Sequence, residues 1–213
     1  GGKIRVSSEC YTFYLLFPSF LERMSALYPQ IDIQLLYNTT HHPLENLLNY
    51  EVDVAVVTTR PAQEHLNTTL ILKDELKAVI HRENPLATHK YLEAKHFANE
   101  HLIIHSYPLE TVTIYEKYLK PNNISPFRIS AIPLTELSLE MVRTNRGITC
   151  MPEWMLKPFS YQKDLVFKQI GKNRLKRNLY IVMRNEDLNK RHFADFKSNF
   201  EETIRNDFAY ALQ

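Results

Sequence analysis

Residues Tyr28 to Thr59 read in order as a strand, a polar loop, a short amphipathic helix and a strand of unbroken apolar character. That is one βαβ unit. The closing run Val52-Asp53-Val54-Ala55-Val56-Val57 is too apolar and too β-branched for a strand with one wet face, which predicts a parallel strand covered on both sides. Such a unit commits the chain to an α/β sheet, and ligands of open α/β sheets bind beyond the carboxyl ends of the strands. Here those ends run into Tyr37-Asn38-Thr39-Thr40-His41-His42 and Thr58-Thr59-Arg60, short loops rich in hydrogen-bonding groups. The pattern points to small-molecule binding.

Bulk properties exclude several other classes. With 213 residues, 44% of them hydrophobic, the chain can build one large domain or two small ones with real cores. A dedicated nucleic-acid-binding domain is strongly basic, whereas 26 Lys and Arg against 24 Asp and Glu leave a net charge of only +2. Cys10 and Cys150 are too few for a disulfide scaffold. The longest apolar runs fall well short of the roughly 18 residues of a membrane span, and no signal peptide is visible, so a cytoplasmic protein without membrane contact is expected. The opening Gly1-Gly2 reads as a cut and leaves room for an upstream region. No GxSxG, HExxH, P-loop or GxGxxG pattern occurs, and 4 glycines give little material for phosphate-cradling loops. Cys10 beside His41 or His105 has the chemistry of a nucleophile and base, but nothing in the sequence fixes their geometry, and a non-enzyme is expected.

Periodicity divides the chain into two series. In the first, Lys3 to Ser7 is a strand, Thr12 to Leu27 a helix with Leu16, Phe20, Met24 and Leu27 inward, Ile31 to Tyr37 a strand, Pro43 to Tyr50 a helix and Val52 to Val57 a strand. Leu70 to His81 follows as a pair of strand segments, and a turn at Glu83 to Ala87 restarts the pattern. Leu102 to His105 is then a strand, Thr111 to Leu119 a helix, Phe127 to Ile132 a strand, Thr135 to Arg143 a helix and Gly147 to Met151 a strand. Leu179 to Met183 is a last strand, and Phe193 to Leu212 a closing helix with Phe193, Phe196, Phe200, Ile204 and Phe208 on one face. The basic cluster Lys172, Arg174, Lys176 and Arg177 falls in the turn before that last strand and reads as solvated surface.

Five motifs occur in one order: Phe17-Pro18, Tyr28-Pro29 before a strand, Glu51 to Val56, Asn84-Pro85-Leu86-Ala87, and Gly147-Ile148-Thr149-Cys150-Met151-Pro152. In this order they resemble the effector-binding domain of LysR-type transcriptional regulators, over almost the whole chain. Glu9-Cys10, Asn46 to Val56, Tyr107-Pro108, Tyr118 to Pro121, Pro152-Glu153-Trp154 and Leu179-Tyr180 resemble the methionine-biosynthesis branch of that family, the MetR-like regulators. Two positions depart from the pattern, with Tyr50 and Asn145 where the family has glycine. Asn tolerates a left-handed backbone and Tyr does so poorly, which predicts a different closure for the helix ending near Tyr50.

The resemblance implies an α/β fold of periplasmic-binding-protein-like (type 2) architecture, with two Rossmann-like subdomains joined by two crossover strands. Subdomain I would comprise residues 1–77 and 178–213 and subdomain II residues 78–177, with crossovers near Leu76 to Ala78 and Arg177 to Tyr180. The effector would lie in the cleft between them, reached by loops carrying Ser8, Glu9, Cys10, Thr12, Thr39, Thr40, His41, Thr58, His105, Tyr107, Glu136, Met151 and Trp154. For MetR-like proteins the effector is homocysteine. Ser8, Thr12, Thr39 and Thr40 offer donors to its carboxylate, although Ser and Thr also serve as ordinary caps and turn residues. Glu9 and Glu136 offer a carboxylate to its ammonium group. Cys10, Tyr11, Phe13, Met151 and Trp154 offer an apolar surface to its thiol chain, or simply core.

His41, His42 and His105 lack a metal-ligand spacing and read as hydrogen-bonding residues, so neither metal nor cofactor is expected. Cys10 and Cys150 read as inert rather than as a redox pair. The expected partners are copies of the chain, as a homodimer or homotetramer, and promoter DNA through a winged helix-turn-helix outside this chain. A secreted or periplasmic solute-binding protein for a small amino acid is the alternative. It would carry an export signal upstream instead of a basic helix-turn-helix.

Overall fold

A computed structural model describes residues 1–39, 42–160 and 162–208. The chain forms two compact units, Gly1–Lys73 with Asn178–Gln213, and Asp74–Arg177. In chain order the elements are β1 (Gly2–Ser8), α1 (Phe17–Leu27), β2 (Ile31–Leu35), α2 (Pro43–Leu48), β3 (Val54–Val57) and β4 (Leu66–His81), then β5 (Tyr91–Leu92), β6 (His101–Ile104) and β7 (Arg128–Ala131). They continue with α3 (Thr135–Arg143), β8 (Ile148–Pro152), α4 (Glu153–Leu156), β9 (Leu165–Ile170), β10 (Leu175–Arg184) and α5 (Arg191–Asp207). The chain passes between the units inside β4 and inside β10.

In the first unit β1 is central. It pairs in parallel with β2, Val6 facing Leu35, and with β3, Val6 facing Val54, while β3 runs antiparallel to β10. All four residues of β3 are at most 4% exposed, so the strand is covered on both faces as its composition predicts. Ala55 and Val57 pack with Leu47 of α2 and Val182. Val54 and Val56 point the other way. On α1 and α5, Phe17 and Phe20 meet Phe196 and Phe200, with Phe17 stacked on Phe200 at 5.2 Å and Phe20 edge-on to it at 4.9 Å.

The second unit repeats this order. Central β6 pairs in parallel with β7, Ile103 facing Ser130, and with β8, Ile103 facing Thr149, and β8 runs antiparallel to β4. Beyond β4 the sheet continues through β9 to β5. Leu102, Ile104, Ile148, Phe97 and Leu119 fill one buried cluster, and Ile103, Met151, Leu139 and Val142 another.

Several boundaries differ from the sequence reading for physical reasons. The helix expected over Thr12 to Leu27 is a 3-10 segment, Tyr11–Leu16, followed by α1. Pro18 has no N–H to give to the carbonyl of residue 14, so an α-helix can start there but not run through. Leu70 to His81 is not two segments but part of one 16-residue strand. The helix expected over Thr111 to Leu119 narrows to a π-helical turn, Tyr115–Leu119, preceded by a 3-10 turn at Leu109–Thr111. The closing helix ends at Asp207, and residues 209–212 of the expected span lie outside the described residues.

The helix before Tyr50 closes as a glycine would close it. Tyr50 has φ +61° and Asn145 φ +58°. Glu51 N donates to Asn46 O and Tyr50 N to Leu47 O, and Arg146 N to Met141 O with Asn145 N to Val142 O, the paired bonds of a Schellman motif at both helix ends. At Tyr50 the side chain offsets the backbone cost. Its hydroxyl donates to Glu186 at 2.9 Å and its ring lies under the Arg184 guanidinium at 4.4 Å, while the Tyr50 backbone carbonyl separately accepts from Arg5 at 2.8 Å. Tyr50→Ala and Tyr50→Gly both delete the side-chain contacts, but only Gly relieves the left-handed strain. Tyr50→Ala is therefore expected to be the less stable of the two by about 1 kcal/mol in denaturant unfolding, and equal midpoints would contradict this account of Tyr50.

Candidate functional site

In the first unit the chain leaves β1 for β2 on one side and returns through α2 to β3 on the other, which puts the topological switch between β1 and β3. Open α/β sheets bind ligands outside that crevice. Glu9 follows β1 directly and Thr58 follows β3 directly, and the parallel register brings them together. Glu9 N donates to Val56 O at 2.9 Å, Thr58 Oγ1 donates to Glu9 Oε1 at 3.0 Å, and Thr58 N lies 3.4 Å from Oε2. An ionised carboxylate accepts only and offers about four lone-pair positions, so Glu9 keeps capacity for a further donor such as an ammonium group. Arg60, two residues on, lies over the Tyr180 ring at 5.7 Å and adds a cation at the same strand end.

The loop after β1 is built by its own hydrogen bonds. Ser8, fully buried, donates through Oγ to Cys10 O at 2.8 Å and accepts from Cys10 N at 3.1 Å. Its hydroxyl therefore shapes the turn that carries Glu9. Cys10 and Thr12 are both 8% exposed, and Phe13 belongs to the aromatic core, 5.5 Å from Phe17. Tyr14, which the sequence reading did not single out, accepts from Ser8 N at 2.8 Å and donates to Leu36 O at 2.9 Å. It thereby ties the end of β1 to the end of β2, and a tyrosine six residues past a strand was the available signal. Thr39 lies in the short turn Tyr37–Thr39 after β2, and Thr40 and His41 lie outside the described residues.

The second unit gathers its candidates at the equivalent strand ends. His105 follows β6, and burial pushes its imidazole pKa down against the opposing effect of a hydrogen bond with the Ile132 backbone, which favours a neutral ring that exchanges hydrogen bonds and not charge. Tyr107 is 49% exposed. Glu136 sits exposed in the first turn of α3, where the helix dipole already favours it. Met151 on β8 is 4% exposed and packs within the cluster of Val79, Ile103 and Met155. Trp154, in the first turn of α4, packs against the same cluster and donates Nε1–H to Asp74 Oδ2 at 3.2 Å.

The basic cluster within residues 172–177 is only partly solvated. Arg177 is not solvated: it is 9% exposed and binds Asp74 through two hydrogen bonds, at 2.8 and 2.7 Å. Arg174 donates to Glu75 at 3.0 Å yet stays exposed, as do Lys172 and Lys176, so the surface reading holds for those three. Cys10 and Cys150 form no disulfide, and burial pushes the Cys150 thiol pKa up, keeping it protonated and unreactive. Among the described residues no group of three or more His, Cys, Asp and Glu is placed to hold a metal ion, and no helix is long and apolar enough to cross a membrane.

Two α/β units of one topology, joined through two strands and carrying polar loops at the strand ends, define a ligand-binding domain of the type 2 periplasmic-binding-protein-like class. Residues 1–204 match the LysR substrate binding domain, and the chain belongs to that family. It is similar to the transcriptional regulator MetR of Haemophilus influenzae, 23% identical over 196 residues that make up 92% of this chain and 63% of that protein. It is also similar to the regulatory domain of MetR, a LysR family regulator from N. meningitidis, at 26% identity and a TM-score of 0.90, covering 99% of this chain and 95% of that one. The regulatory domain of Synechocystis CcmR in complex with 2-PG shares the fold, at 19% identity and a TM-score of 0.77 over 97% of this chain and 99% of that one. Four curated MetR proteins are HTH-type transcriptional regulators, and this chain spans 57–63% of their length.

Proposed function

We propose that this chain is the effector-sensing part of a LysR-type transcriptional regulator of methionine biosynthesis, and that its effector is homocysteine. The observation that carries the reading is the Glu9 carboxylate, fixed by Thr58 at the switch between β1 and β3 with acceptor capacity left over. An α-amino acid brings an ammonium group to such a position, and charge-assisted hydrogen bonds to carboxylates are the strong ones. Its own carboxylate would take donors from Thr12, Thr39, Thr40 and His41, with Arg60 as counter-charge. The thiol chain would lie towards Cys10, Met151 and Trp154, since sulfur packs well on aromatic and thioether surfaces. Ser8 would hold the turn that presents Glu9, and neutral His105, Tyr107 and Glu136 would offer polar contacts at the equivalent strand ends within the second unit.

Signalling then requires only that homocysteine bind one conformation of the domain better than another. In a homodimer or homotetramer attached to promoter-binding domains, that difference would alter the spacing of the DNA-binding parts. The similarity to MetR regulatory domains supports the branch. Glu9→Gln tests the site: it keeps the shape and a hydrogen-bond acceptor but removes the charge, and should weaken homocysteine binding by roughly 10- to 100-fold in calorimetric titration. Thr58→Val should have a smaller effect in the same direction. Wild-type affinity in Glu9→Gln would remove Glu9 from the site and with it this placement of the ligand.

A further inference from the structure

The chain enters its second unit at Asp74 on β4 and leaves it at Arg177 on β10. These two residues grip each other. Arg177 Nε donates to Asp74 Oδ1 at 2.8 Å and Nη2 to Oδ2 at 2.7 Å, with Asp74 7% and Arg177 9% exposed. A bidentate pair held away from water sets geometry as well as energy. It therefore fixes β4 against β10 at the point where both strands pass from one unit to the other. A further group reaches the same carboxylate. Trp154, two residues beyond the end of β8, donates its indole N–H to Asp74 Oδ2 at 3.2 Å. Oδ2 thus accepts from both Arg177 and Trp154, and one oxygen atom is the meeting point of the segment after β8 and the connecting strands.

We propose that Trp154 is a positioning residue through which ligand occupancy at the end of β8 is felt by the Asp74–Arg177 pair, and so by the two strands that join the units. The proposal deepens the ligand-sensing reading above and rests on it. A ligand that moves the indole changes the donors reaching a buried carboxylate oxygen, and an under-satisfied buried charge forces its partners to readjust. The coupling is reciprocal in free energy: whatever disturbs the pair also changes the affinity for ligand at the end of β8.

Trp154 is the single tryptophan of the chain, so its indole N–H gives one NMR signal. The first test needs no ligand. Trp154→Phe keeps an aromatic ring against the Val79 and Met151 cluster but has no N–H to donate. Amide hydrogen exchange at residues 72–77 and 175–179 should accelerate about tenfold, the loss expected for one hydrogen bond to a charged group, while β1 and β3 keep their rates. Unchanged exchange in the connecting strands, or equal acceleration everywhere, would overturn the proposal. Should Trp154→Phe fail to fold, exchange of the wild-type indole N–H decides: protection matching the connecting strands supports the proposal, and free exchange overturns it. With ligand present, any amino acid that raises the melting temperature should move the indole signal together with the amides of residues 72–77. A rise with the indole unmoved would overturn the proposal. Failure of homocysteine to raise the melting temperature would instead count against the homocysteine reading, and the ligand-free arm would still decide this one.

Discussion

Arg184→Leu is expected to destabilise the protein by about 3–5 kcal/mol, the range for breaking a buried ion pair by removing one partner. Every face of this guanidinium is used. Nε donates to Asp187 at 2.7 Å, Nη1 to the carbonyls of Leu47 and Val52 at 2.7 and 2.8 Å, and Nη2 to Asp53 at 2.8 Å, with the side chain only 8% exposed. It thereby pins the last turn of α2 and the start of β3 to the end of β10. Asp53 retains Arg5, and Asp187 retains Lys190, which places the loss at the lower end of the range. Arg184→Lys should recover only part of it, because an ammonium group keeps the charge but not the planar fork. Urea midpoints measure both variants, and a loss below about 1 kcal/mol for Arg184→Leu would contradict this account of the network.

The same network sets the acid limit. Burial on its own would raise the Asp53 pKa, but hydrogen bonds from Arg5 and Arg184 outweigh it and hold the carboxylate below its usual range. A group depressed on folding contributes stability that is fully present above its unfolded value of about 3.9 and is lost as pH falls through its folded value. Stability should therefore drop steeply below about pH 4, and Arg184→Leu should flatten that drop.

Phe200→Ala is expected to cost about 3–5 kcal/mol. The ring is fully buried and lies within 6 Å of four others: Phe20 at 4.9 Å, Phe17 at 5.2 Å, and Phe13 and Phe196 at 5.9 Å. Truncation leaves a cavity facing rigid aromatic neighbours that cannot collapse into it, so the transfer and cavity contributions add. Because Phe13 stands four residues after Glu9, the same change should loosen the β1 loop and weaken effector binding as well. Phe200→Leu fills much of the space and should lose clearly less. Urea unfolding of the two variants checks this, and a Phe200→Ala protein within about 1 kcal/mol of wild type would show that the cluster repacks.

The sequence made some elements legible and hid others for identifiable reasons. β3 was readable because four consecutive apolar residues leave no alternative to two-sided burial. The helix Thr135–Arg143 was readable to the residue, since its apolar positions recur at helical spacing and residues 145–147 break the pattern. β4 read as two pieces because Lys73-Asp74-Glu75 looks like a turn within apolar sequence. Asp74 is held by Arg177, and Glu75 is shared between Arg174 and the neighbouring Lys77; both arginines lie about a hundred residues away, and no local pattern encodes them. Arg177 was misread as surface for the same reason. β9, with burial on both sides of Phe167 only partial, lacked the apolar run that marks a strand. In the candidate site, the meeting of Glu9 and Thr58 followed from two adjacent parallel strands, whereas the link from Trp154 to Asp74 depends on a contact across 80 residues of sequence.

Homocysteine sensing by this family member has its most direct check in the melting temperature of the reduced protein. Homocysteine, methionine, homoserine and cysteine would each be titrated separately. A ligand at about a hundredfold excess over its dissociation constant stabilises the native state by roughly 2.7 kcal/mol. A saturable rise is expected, and homocysteine should produce it at lower concentration than its three analogues. A larger or earlier rise with one of the analogues, or none with homocysteine at millimolar concentration, would contradict it.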